Sequence, residues 1–372
     1  MPVFEDHPVV MWELTRACDL HCRNCTIGAT ESRGTNELST YEAYKTIDQI
    51  TTLGPRELIM TGGDPLERTD IDQIVNYARR RGLDPALVMS PTSYLTNAAL
   101  VNLKNNGLSR IVLSIDGSVP EIHEAGHGIA GTFALTLLAA SMAKQAGLAI
   151  EINTLITKTN AGDLDAIADL LHSMEIVRWN LYFLVPLRST HAEAITAAEA
   201  EHLFATIDDI RQREPFAIRA VEAPHYRRFR LQRSLHARLD NTSWADFSGY
   251  ESGGNSGLKE VMDSALDGAS GFVFISHAGD VRASEFLPFS AGNLRYRSLG
   301  SIYRASDLFV ALRDQKNLQG KCGHCEFRRI CGGSRARAWA TEWNVFADDP
   351  LCSYDPGVPL PLPSSSMSRV EA

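Results

Sequence analysis

The sequence lacks the features that would place the protein in a membrane, on nucleic acid or outside the cell. No apolar run in its 372 residues approaches the roughly 18–20 residues needed to cross a bilayer. Acidic residues outnumber basic ones by 45 to 36, and the resulting net charge of −9 argues against general nucleic-acid binding. The N-terminus has no basic region followed by an apolar stretch, so no signal peptide is predicted. These absences predict a cytoplasmic protein with no membrane or nucleic-acid partner.

Cysteine is also scarce, and its seven residues fall into two widely separated groups. The groups are Cys18-x3-Cys22-x2-Cys25 and Cys322-x2-Cys325-x5-Cys331, the second completed by Cys352. Closely spaced cysteines without an export signal indicate metal binding in a reducing compartment, and an odd number is awkward for disulfides. A cubane iron–sulfur cluster has four irons that each bind one thiolate, so four cysteines close a cluster and three leave one iron open. The pattern therefore predicts one open and one closed cluster.

Zinc is the alternative metal for both groups. A structural zinc site usually has four cysteine or histidine ligands. Near the first group only His21 could supply the fourth ligand, which makes zinc a poor interpretation there. The second group has four cysteines of its own and, taken alone, could equally form a zinc knuckle.

Short apolar runs alternate with amphipathic helical stretches over the first half of the chain. The predicted strands are Val9–Leu14, Glu57–Met60, Pro85–Met89, Arg110–Ile115, Ala149–Ile156 and Arg178–Val185. The predicted helices are Thr40–Leu53, Ile71–Arg80, Asn97–Asn105, Phe133–Ala146, Leu164–Met174 and Ala197–Glu214. Because parallel neighbours need a helical crossover, the alternation predicts an α/β fold with a parallel sheet. Six strand–helix units are two short of a complete barrel, so we expect an open, partial (β/α)6 barrel whose function lies at the C-terminal ends of its strands.

The sequence predicts that the chain has four segments. Residues 1–215 form the barrel, and residues 216–271 form a less regular linker on the substrate side. This linker contains a glycine-rich loop, Ser252–Gly257, which lacks the features of a phosphate cradle and is predicted to be a flexible turn near the site entrance. Residues 272–355 open with a hairpin pattern and form a small cysteine-bearing domain. Residues 356–372, rich in proline and serine, form a disordered tail.

The first cysteine group resembles the hallmark of the radical S-adenosylmethionine (radical SAM) superfamily, C-x3-C-x2-C in a loop after the first strand. Asn24 departs from the family only in that an aromatic residue often precedes the last cysteine. The resemblance implies that Cys18, Cys22 and Cys25 bind a [4Fe-4S] cluster whose open iron chelates S-adenosylmethionine. Reductive cleavage of this cofactor yields a 5′-deoxyadenosyl radical, so an external electron donor such as flavodoxin or ferredoxin is implied as a partner.

Positions after the later strands also match the family. The segment Thr61–Leu66 resembles its Gly-Gly-Glu-Pro motif, which holds the methionine amino group, with an aspartate in place of the glutamate. Glycines let the backbone approach a ligand closely, so its carbonyls can accept hydrogen bonds from an ammonium group. The resemblance implies these cofactor-binding residues: Gly62, Gly63, Asp64, Pro65, Ser114, Asp116 and Asn153. For Asn153 the alternative is a buried strand asparagine whose hydrogen bonds are made by the backbone.

The second cysteine group resembles the C-terminal SPASM domain of this superfamily. The full family pattern continues with one more cysteine, where this chain has Arg335, and includes an upstream pair, near one of whose positions lies Ser284. The resemblance therefore implies a single auxiliary [4Fe-4S] cluster bound by Cys322, Cys325, Cys331 and Cys352. Full ligation favours electron transfer or structural support over substrate binding. Basic residues beside this group, Arg328–Arg329 and Arg335–Arg337, are expected to offset the thiolate charge.

A basic stretch, Pro224–Leu239, carries five arginines and two histidines but no acid. Since arginine binds carboxylates and phosphates with two hydrogen bonds, one hypothesis is recognition of an anionic substrate at the barrel mouth. The alternative is a helix whose arginines pair with acids elsewhere in the chain. His123 and His127 could also contact substrate, although a solvated loop is the simpler interpretation.

Three segments, Glu222–Arg228, Phe286–Asn293 and Cys331–Arg337, narrow the resemblance to the branch related to anaerobic haem synthase and haem d1 maturation enzymes. These act on tetrapyrrole propionates, for example by oxidative decarboxylation, which implies an anionic small-molecule substrate. A ribosomal-peptide maturase is the first alternative; only eight residues precede the first strand, where many such enzymes have a leader-binding domain. The second alternative is a non-catalytic iron–sulfur electron-transfer protein, against which the complete triad and glycine motif argue.

Overall fold

The computed structural model describes residues 6–23, 25, 27–187, 191–239, 256–266 and 271–357. Asn24, most of the glycine-rich loop and most of the predicted tail lie outside these residues, so the expectations for them stay predictions. No single helix in the described ranges is long and apolar enough to cross a membrane. One pair of helices bent by 103°, Pro120–His127 with Thr132–Gln145, meets that criterion only by combined length and composition.

A single eleven-stranded sheet organises the described chain, with the strand order β11-β10-β9-β1-β2-β3-β4-β5-β6-β7-β8. The strands are β1 Val9–Glu13, β2 Glu57–Thr61, β3 Pro85–Val88, β4 Arg110–Ser114, β5 Ala149–Ile156, β6 Arg178–Phe183, β7 Ala217–Val221, β8 Ala265–Leu266, β9 Phe272–Ile275, β10 Asp280–Arg282 and β11 Gly292–Asn293. Neighbours from β9 through β1 to β8 are parallel, and β10 and β11 continue antiparallel. The α/β class and the six predicted parallel strands are therefore confirmed.

Thirteen α-helices cover the outer face of the sheet and the C-terminal region within the described ranges. They are α1 Thr40–Leu53, α2 Ile71–Arg80, α3 Asn97–Asn105, α4 Pro120–His127, α5 Thr132–Gln145, α6 Leu164–Met174, α7 Ala197–Arg213, α8 His225–Leu239, α9 Ser256–Asp263, α10 Leu299–Ala305, α11 Asp307–Arg313, α12 Gly320–His324 and α13 Arg335–Glu342. Helix α1 shows why these segments are helical: the Ser39 side chain accepts from the backbone N–H of Glu42, and the Glu42 side chain accepts from the Ser39 N–H, which closes a capping box.

The sheet extends beyond the six predicted strands on both sides. Residues 216–271 contain β7 and β8, which continue the parallel order after β6, and β9 pairs with β1 in register from Val9 with Phe272. The pattern of β7 hides it because Arg219 interrupts a short apolar run. The sheet is thus continuous across residues 215 and 271, while the predicted division into domains stays a prediction.

The two faces of the sheet bury different residues. Alternate side chains such as Val10 and Trp12 pack against the helices in the main core, and Val9 and Met11 lie on the inner face with Phe274. The N-terminal end of the inner face is charged: Glu57 is the shared acceptor of several arginines. The middle of this face is apolar, and polar side chains return at the C-terminal ends of the strands. The inner face therefore has a charged, an apolar and a polar layer. The polar layer lies at the C-terminal ends of the strands, where the sequence predicts the site.

The C-terminal segment is joined to the sheet by a buried arginine. On α13, Arg337 donates to the backbone oxygens of Leu184, Phe183 and Glu222, which follow or end β6 and β7, and it pairs with Asp349. A fork of five N–H donors suits such a set of acceptors, which a lysine could not match. The cysteine-bearing segment is consequently fixed against the C-terminal ends of the strands.

Candidate active site

The first cysteine group lies in a loop that leaves the C-terminal end of β1. The Cys18 N–H donates to Thr30 O at 2.9 Å, and the Cys25 N–H donates to Cys22 O at 3.2 Å. The Arg23 N–H donates to His127 O at 2.9 Å, which ties the loop to α4. Cys18 is buried and Cys25 is exposed, and burial raises the pKa of the Cys18 thiol to about 11. The loop thus presents three thiols along a path from the interior to the surface.

The two glycines of the second motif lie directly against this loop. A Cβ atom at Gly63 would be 2.1 Å from Ala17 O, and one at Gly62 would be 2.6 Å from Thr15 O. The Gly63 N–H donates to Thr15 O at 3.0 Å, and the next N–H, of Asp64, donates to Ala17 O at 2.7 Å. Both glycines are required because no side chain fits at this approach. The structure therefore brings the predicted cofactor-binding motif and the cysteine loop together.

The Asp64 carboxylate accepts hydrogen bonds from groups of this chain. It is fully buried, its Oδ1 accepts from the Leu66 N–H at 3.0 Å, and its Oδ2 accepts from the Thr92 hydroxyl. Burial raises the pKa of its carboxyl despite these hydrogen bonds. Pro65 begins a short 3-10 helix that Asp64 caps. These contacts fix the backbone of the motif, so Asp64 acts here by holding the glycines in place.

The predicted cofactor residues on β4 and β5 lie side by side. Ser114 is the register partner of Asn153, both at the C-terminal half of the inner face. The Asn153 Oδ1 accepts from Asn180 Nδ2 on β6 at 3.0 Å. Its partner is thus another inner-face side chain, whereas the alternative interpretation expected backbone partners. These three residues form a polar row across β4, β5 and β6.

Asp116, just beyond β4, is held by two groups of this chain. Its Oδ1 accepts from the Leu155 N–H at 2.7 Å, and its Oδ2 lies 3.0 Å from His127 Nε2. Its own N–H donates to His123 Nδ1 at 3.1 Å. The structure therefore assigns the Asp116 side chain a contact with α4, and the predicted contact with the cofactor stays a prediction.

The two histidines lie on a helix, which corrects the expectation of a solvated loop. Pro120 at the first turn and Gly128 in the left-handed conformation bound α4, and this pattern could have indicated the helix. Burial lowers the pKa of His123 to about 4. Burial alone would also lower the pKa of His127, but hydrogen bonds to Asp116 and Cys22 raise it to about 10. The two imidazole rings stack with their centroids 4.2 Å apart. Because His127 also contacts Cys22, the pair lies beside the cysteine loop.

The second cysteine group forms one pocket. It is lined by Cys322, Cys325, Cys331 and Cys352 together with Arg228, Lys321, Arg328, Gly332, Gly333, Tyr354 and Pro356. A Cβ atom at Gly333 would be 3.4 Å from Cys322 Sγ, and the Gly333 N–H donates to Cys331 Sγ at 3.5 Å. Burial raises the pKa of all four thiols, and the Arg228 guanidinium lowers that of Cys325, Cys331 and Cys352 in part. Thiolates in this pocket thus need a positive partner.

Four thiols that line one pocket are the donor set that a cubane cluster needs, one thiolate for each iron. Among the described residues, no group of three or more His, Cys, Asp or Glu side chains that could hold a metal ion was found. The auxiliary cluster therefore stays a prediction.

Ser284 and Arg335 lie at or near positions where the full SPASM pattern has further cysteines, and both side chains make hydrogen bonds within the chain. Ser284 Oγ donates to Glu222 Oε1 at 3.0 Å, and Ser334 Oγ donates to Glu222 Oε2 at 2.5 Å. Arg335 donates to the backbone oxygens of Val345 and Ala347, both at 2.8 Å. Glu222 itself has a positive φ of 56°, a conformation rare for this residue type. The expectation of one auxiliary cluster instead of two stays a prediction.

Four of the five arginines of α8 already have partners in the chain, which corrects the substrate-recognition hypothesis for Pro224–Leu239 at these four. Arg228 pairs with Glu201 at 2.6 Å, and Arg230 pairs with Glu260 at 2.8 Å. Arg233 pairs with Asp209 at 2.5 Å. Arg227 is buried and donates to the backbone oxygens of Met262 and Ala265. The alternative interpretation, pairing with groups elsewhere in the chain, is the one observed for these four.

Sequence reasoning missed a group of ionisable side chains at the C-terminal end of the inner face. Glu13 ends β1, and its Oε1 lies 2.5 Å from His277 Nδ1. Burial, followed by the charges of Glu222 and Glu13, raises the pKa of Glu285 to about 8. Burial also raises the pKa of Tyr182, to which Glu285 contributes. The signal was present in β1, because Glu13 continues the inward positions Val9 and Met11, where an acid is unexpected.

Comparison with known proteins agrees with this geometry. Residues 12–171 match the model of the Radical SAM superfamily. An AdoMet-dependent heme synthase from Oleidesulfovibrio alaskensis is 34% identical over 94% of this chain and 87% of its own length. The chain belongs to the radical SAM superfamily, and membership implies a [4Fe-4S] cluster and S-adenosylmethionine. The fold is also that of Streptococcus suis SuiB solved with S-adenosylmethionine, with a TM-score of 0.70 and 14% identity over 94% of this chain and 78% of SuiB.

A second kind of relative is more distant. A PqqA peptide cyclase from Rhizobium meliloti is 28% identical over 92% of this chain and 86% of its own length. The relatives therefore include enzymes named for a tetrapyrrole product and for a peptide substrate.

Proposed function

We propose that this protein is a radical SAM enzyme that removes a hydrogen atom from a carboxylated small molecule, a tetrapyrrole propionate being the leading candidate. The observation that carries the proposal is the contact between the cysteine loop and Gly62–Gly63 at the end of the sheet where Ser114 and Asn153 lie. When bound, the cluster and cofactor supply a 5′-deoxyadenosyl radical.

The residues of this chain would divide the work as follows. Cys18, Cys22 and Cys25 would bind the cluster, and Gly62 and Gly63 would offer backbone carbonyls to the methionine ammonium group. Ser90 Oγ donates to Gly63 O at 3.2 Å, which orients that carbonyl. The polar row on β4 to β6 would bind the cofactor's ribose. The apolar middle of the inner face would exclude water from the N-terminal side of the site.

The second pocket would hold an auxiliary [4Fe-4S] cluster through Cys322, Cys325, Cys331 and Cys352. Oxidative decarboxylation of a propionate side chain removes a hydrogen atom, carbon dioxide and one electron and leaves a vinyl group. The hydrogen atom goes to the deoxyadenosyl radical, and the electron needs an acceptor. If these cysteines bind a cluster, with Arg228 and Lys321 beside it, that cluster would supply an acceptor for the electron. An external donor such as flavodoxin or ferredoxin would reduce the first cluster.

Peptide maturation is the second candidate, and the similarity to a PqqA peptide cyclase favours it. The greater sequence identity to the heme synthase supports a tetrapyrrole as the leading candidate substrate. Both candidates use the same cofactor site, so they differ only in what occupies the space above the inner face.

Anaerobic reconstitution tests the proposal. We expect about eight irons per chain, and about four after Cys18, Cys22 and Cys25 are all changed to alanine. We also expect 5′-deoxyadenosine when dithionite and S-adenosylmethionine are added to the wild type, and none from the triple variant. Turnover with iron coproporphyrin III, followed as loss of carbon dioxide by mass spectrometry, tests the substrate class. Formation of 5′-deoxyadenosine without porphyrin turnover, together with turnover of a peptide, would support the second candidate; no 5′-deoxyadenosine under any condition would refute the enzyme proposal.

A further inference from the structure

One arginine on the inner face differs from all others in the described chain. Arg282 lies on β10, and its register partner on β9 is Phe274. Residues directly opposite each other in an antiparallel pair point to the same face of the sheet. Phe274 belongs to the inner apolar group, whereas Val281 and its partner Ile275 belong to the outer core. Arg282 therefore lies on the inner face, next to the apolar surface that lines it.

Within the described residues, Arg282 makes neither a hydrogen bond nor an ion pair, although its Nε is inaccessible to solvent. The arginines at the opposite end of the inner face are all paired: Arg110, Arg178 and Arg219 each contact Glu57. Arg304, by contrast, is exposed to solvent. Burial of part of a guanidinium without a partner costs free energy, so buried charges are normally paired. Only its Nε is enclosed, so an anion from outside the described chain can reach the terminal nitrogens of Arg282.

Two carboxylates at the C-terminal end of the inner face already have partners in the chain. Glu13 contacts His277 and Arg16, and Glu222 accepts from Ser284 and Ser334. Glu285 is nearest in sequence, but the structure contains no ion pair between it and Arg282. None of these groups neutralises Arg282. An external anion is thus the group that this position lacks.

We infer that Arg282 binds a carboxylate of the substrate, and this inference rests on the proposed function. A planar guanidinium can hold a carboxylate through two parallel hydrogen bonds. Its register partner Phe274 belongs to the inner apolar group, so the guanidinium adjoins apolar side chains. A large, mostly apolar molecule with propionate side chains, such as an iron porphyrin, has both features. The anion-binding role predicted for α8 therefore belongs to β10.

Binding of iron coproporphyrin III to the reconstituted protein tests this inference. Its dissociation constant is measured by absorbance titration for the wild type, Arg282→Gln, Arg282→Lys and the control Arg304→Gln. Hydrogen bonds to charged groups predict that Arg282→Gln weakens binding about 10- to 100-fold. Arg282→Lys keeps the charge but loses the fork, so an intermediate value is expected, and Arg304→Gln should match the wild type.

The tetramethyl ester of the same porphyrin is the matched ligand control. It retains the apolar body but carries no carboxylate, so it should not distinguish Arg282→Gln from the wild type. Equal affinity of the wild type and Arg282→Gln for the free acid would overturn the inference. An equal loss of affinity for acid and ester would also overturn it, because a general distortion of the pocket affects both.

Failure of this inference can be separated from failure of the proposed function. Cleavage of S-adenosylmethionine by the dithionite-reduced wild type and by the control Arg304→Gln, without substrate, is measured separately as formation of 5′-deoxyadenosine. If the wild type forms none, the proposed function fails. If the wild type forms it but Arg282→Gln binds the porphyrin as well as the wild type does, only the role of Arg282 fails.

Discussion

Glu57, at the N-terminal end of the inner face, is the residue whose replacement should destabilise the fold most clearly without touching the site. Its Oε1 accepts from Arg178 at 2.5 Å and from Arg110 at 3.3 Å, and its Oε2 accepts from Arg219 at 2.9 Å. Glu57→Gln keeps the shape but removes the negative charge that three partly buried guanidinium groups share; Arg110 and Arg178 keep Glu151, whereas Glu57 is the acid that pairs with Arg219. We therefore expect a large loss of stability from a change far from the chemistry.

The magnitude follows from the pKa. Burial would raise the pKa of Glu57, but Arg219, Arg178 and Arg110 lower it from 4.5 to about 2. At 1.36 kcal/mol per pKa unit this difference corresponds to about 3 kcal/mol of stability near neutral pH. Removal of one partner from a buried ion pair costs about 3–5 kcal/mol, which agrees with this value. The expected loss for Glu57→Gln is thus about 3 kcal/mol.

The assay is urea unfolding of the reconstituted protein under anaerobic conditions, followed by tryptophan fluorescence. Glu175→Gln is the matched control, because Glu175 makes one ion pair with Lys144 and both side chains are more than half exposed. Exposed pairs contribute about 0–1 kcal/mol, so this variant should stay close to the wild type. An equal, small change for both variants would refute the reasoning.

The pH dependence gives a second check on the same variant. Because the pKa of Glu57 is lower in the folded state, its contribution is fully present above the unfolded value of about 4.5. It is lost as the pH falls from there towards 2, where the folded carboxyl is protonated. The stability difference between wild type and Glu57→Gln should therefore be constant from pH 8 to about 5.5 and decrease below about 4.5. A difference that shrinks on the alkaline side would contradict this assignment.

Two further variants test the two cysteine sites. Gly63→Ala places a Cβ atom 2.1 Å from Ala17 O and should lower S-adenosylmethionine cleavage by at least about tenfold, whereas Gly162→Ala, which has open space, should leave it unchanged; similar activity of both variants would rule out the close contact. Arg228→Gln removes a positive charge beside the second cysteine group and should shift the midpoint potential of the auxiliary cluster to a more negative value, measured by redox titration with electron paramagnetic resonance. A potential equal to the wild-type value would show that Arg228 does not offset the cluster's charge.

The sequence predicted the parts of the fold that local patterns encode. Strands β1 to β6 and most of their helices follow from alternating apolar runs with caps such as Ser39. The pairing of β9 with β1 was not predictable in this way, because it joins residues as far apart in the chain as Val9 and Phe272. The strand containing Arg219 was missed because its charge pairs with Glu57 on the inner face, a contact that exists only in the folded sheet.

The candidate site divides along the same line. The cysteine spacing and Gly62–Gly63 pointed to the site because backbone geometry and ligand number restrict residue choice there. The arginines of α8 misled because a run of positive charge in sequence says nothing about the acids that face it, such as Glu201. Arg282 could not be selected from the sequence, since its distinguishing property is the lack of a partner.

The pairing of β1 with β9 also affects the order in which the chain can fold. During synthesis β2 becomes available as a neighbour of β1 early, but the other edge of β1 has no partner until Phe272–Ile275 has been made. Unpaired strand edges attract other chains, and β1 carries the apolar residues Val9, Val10, Met11 and Trp12. The strand that leads into the cysteine loop is therefore the last of the early strands to be sealed on both edges.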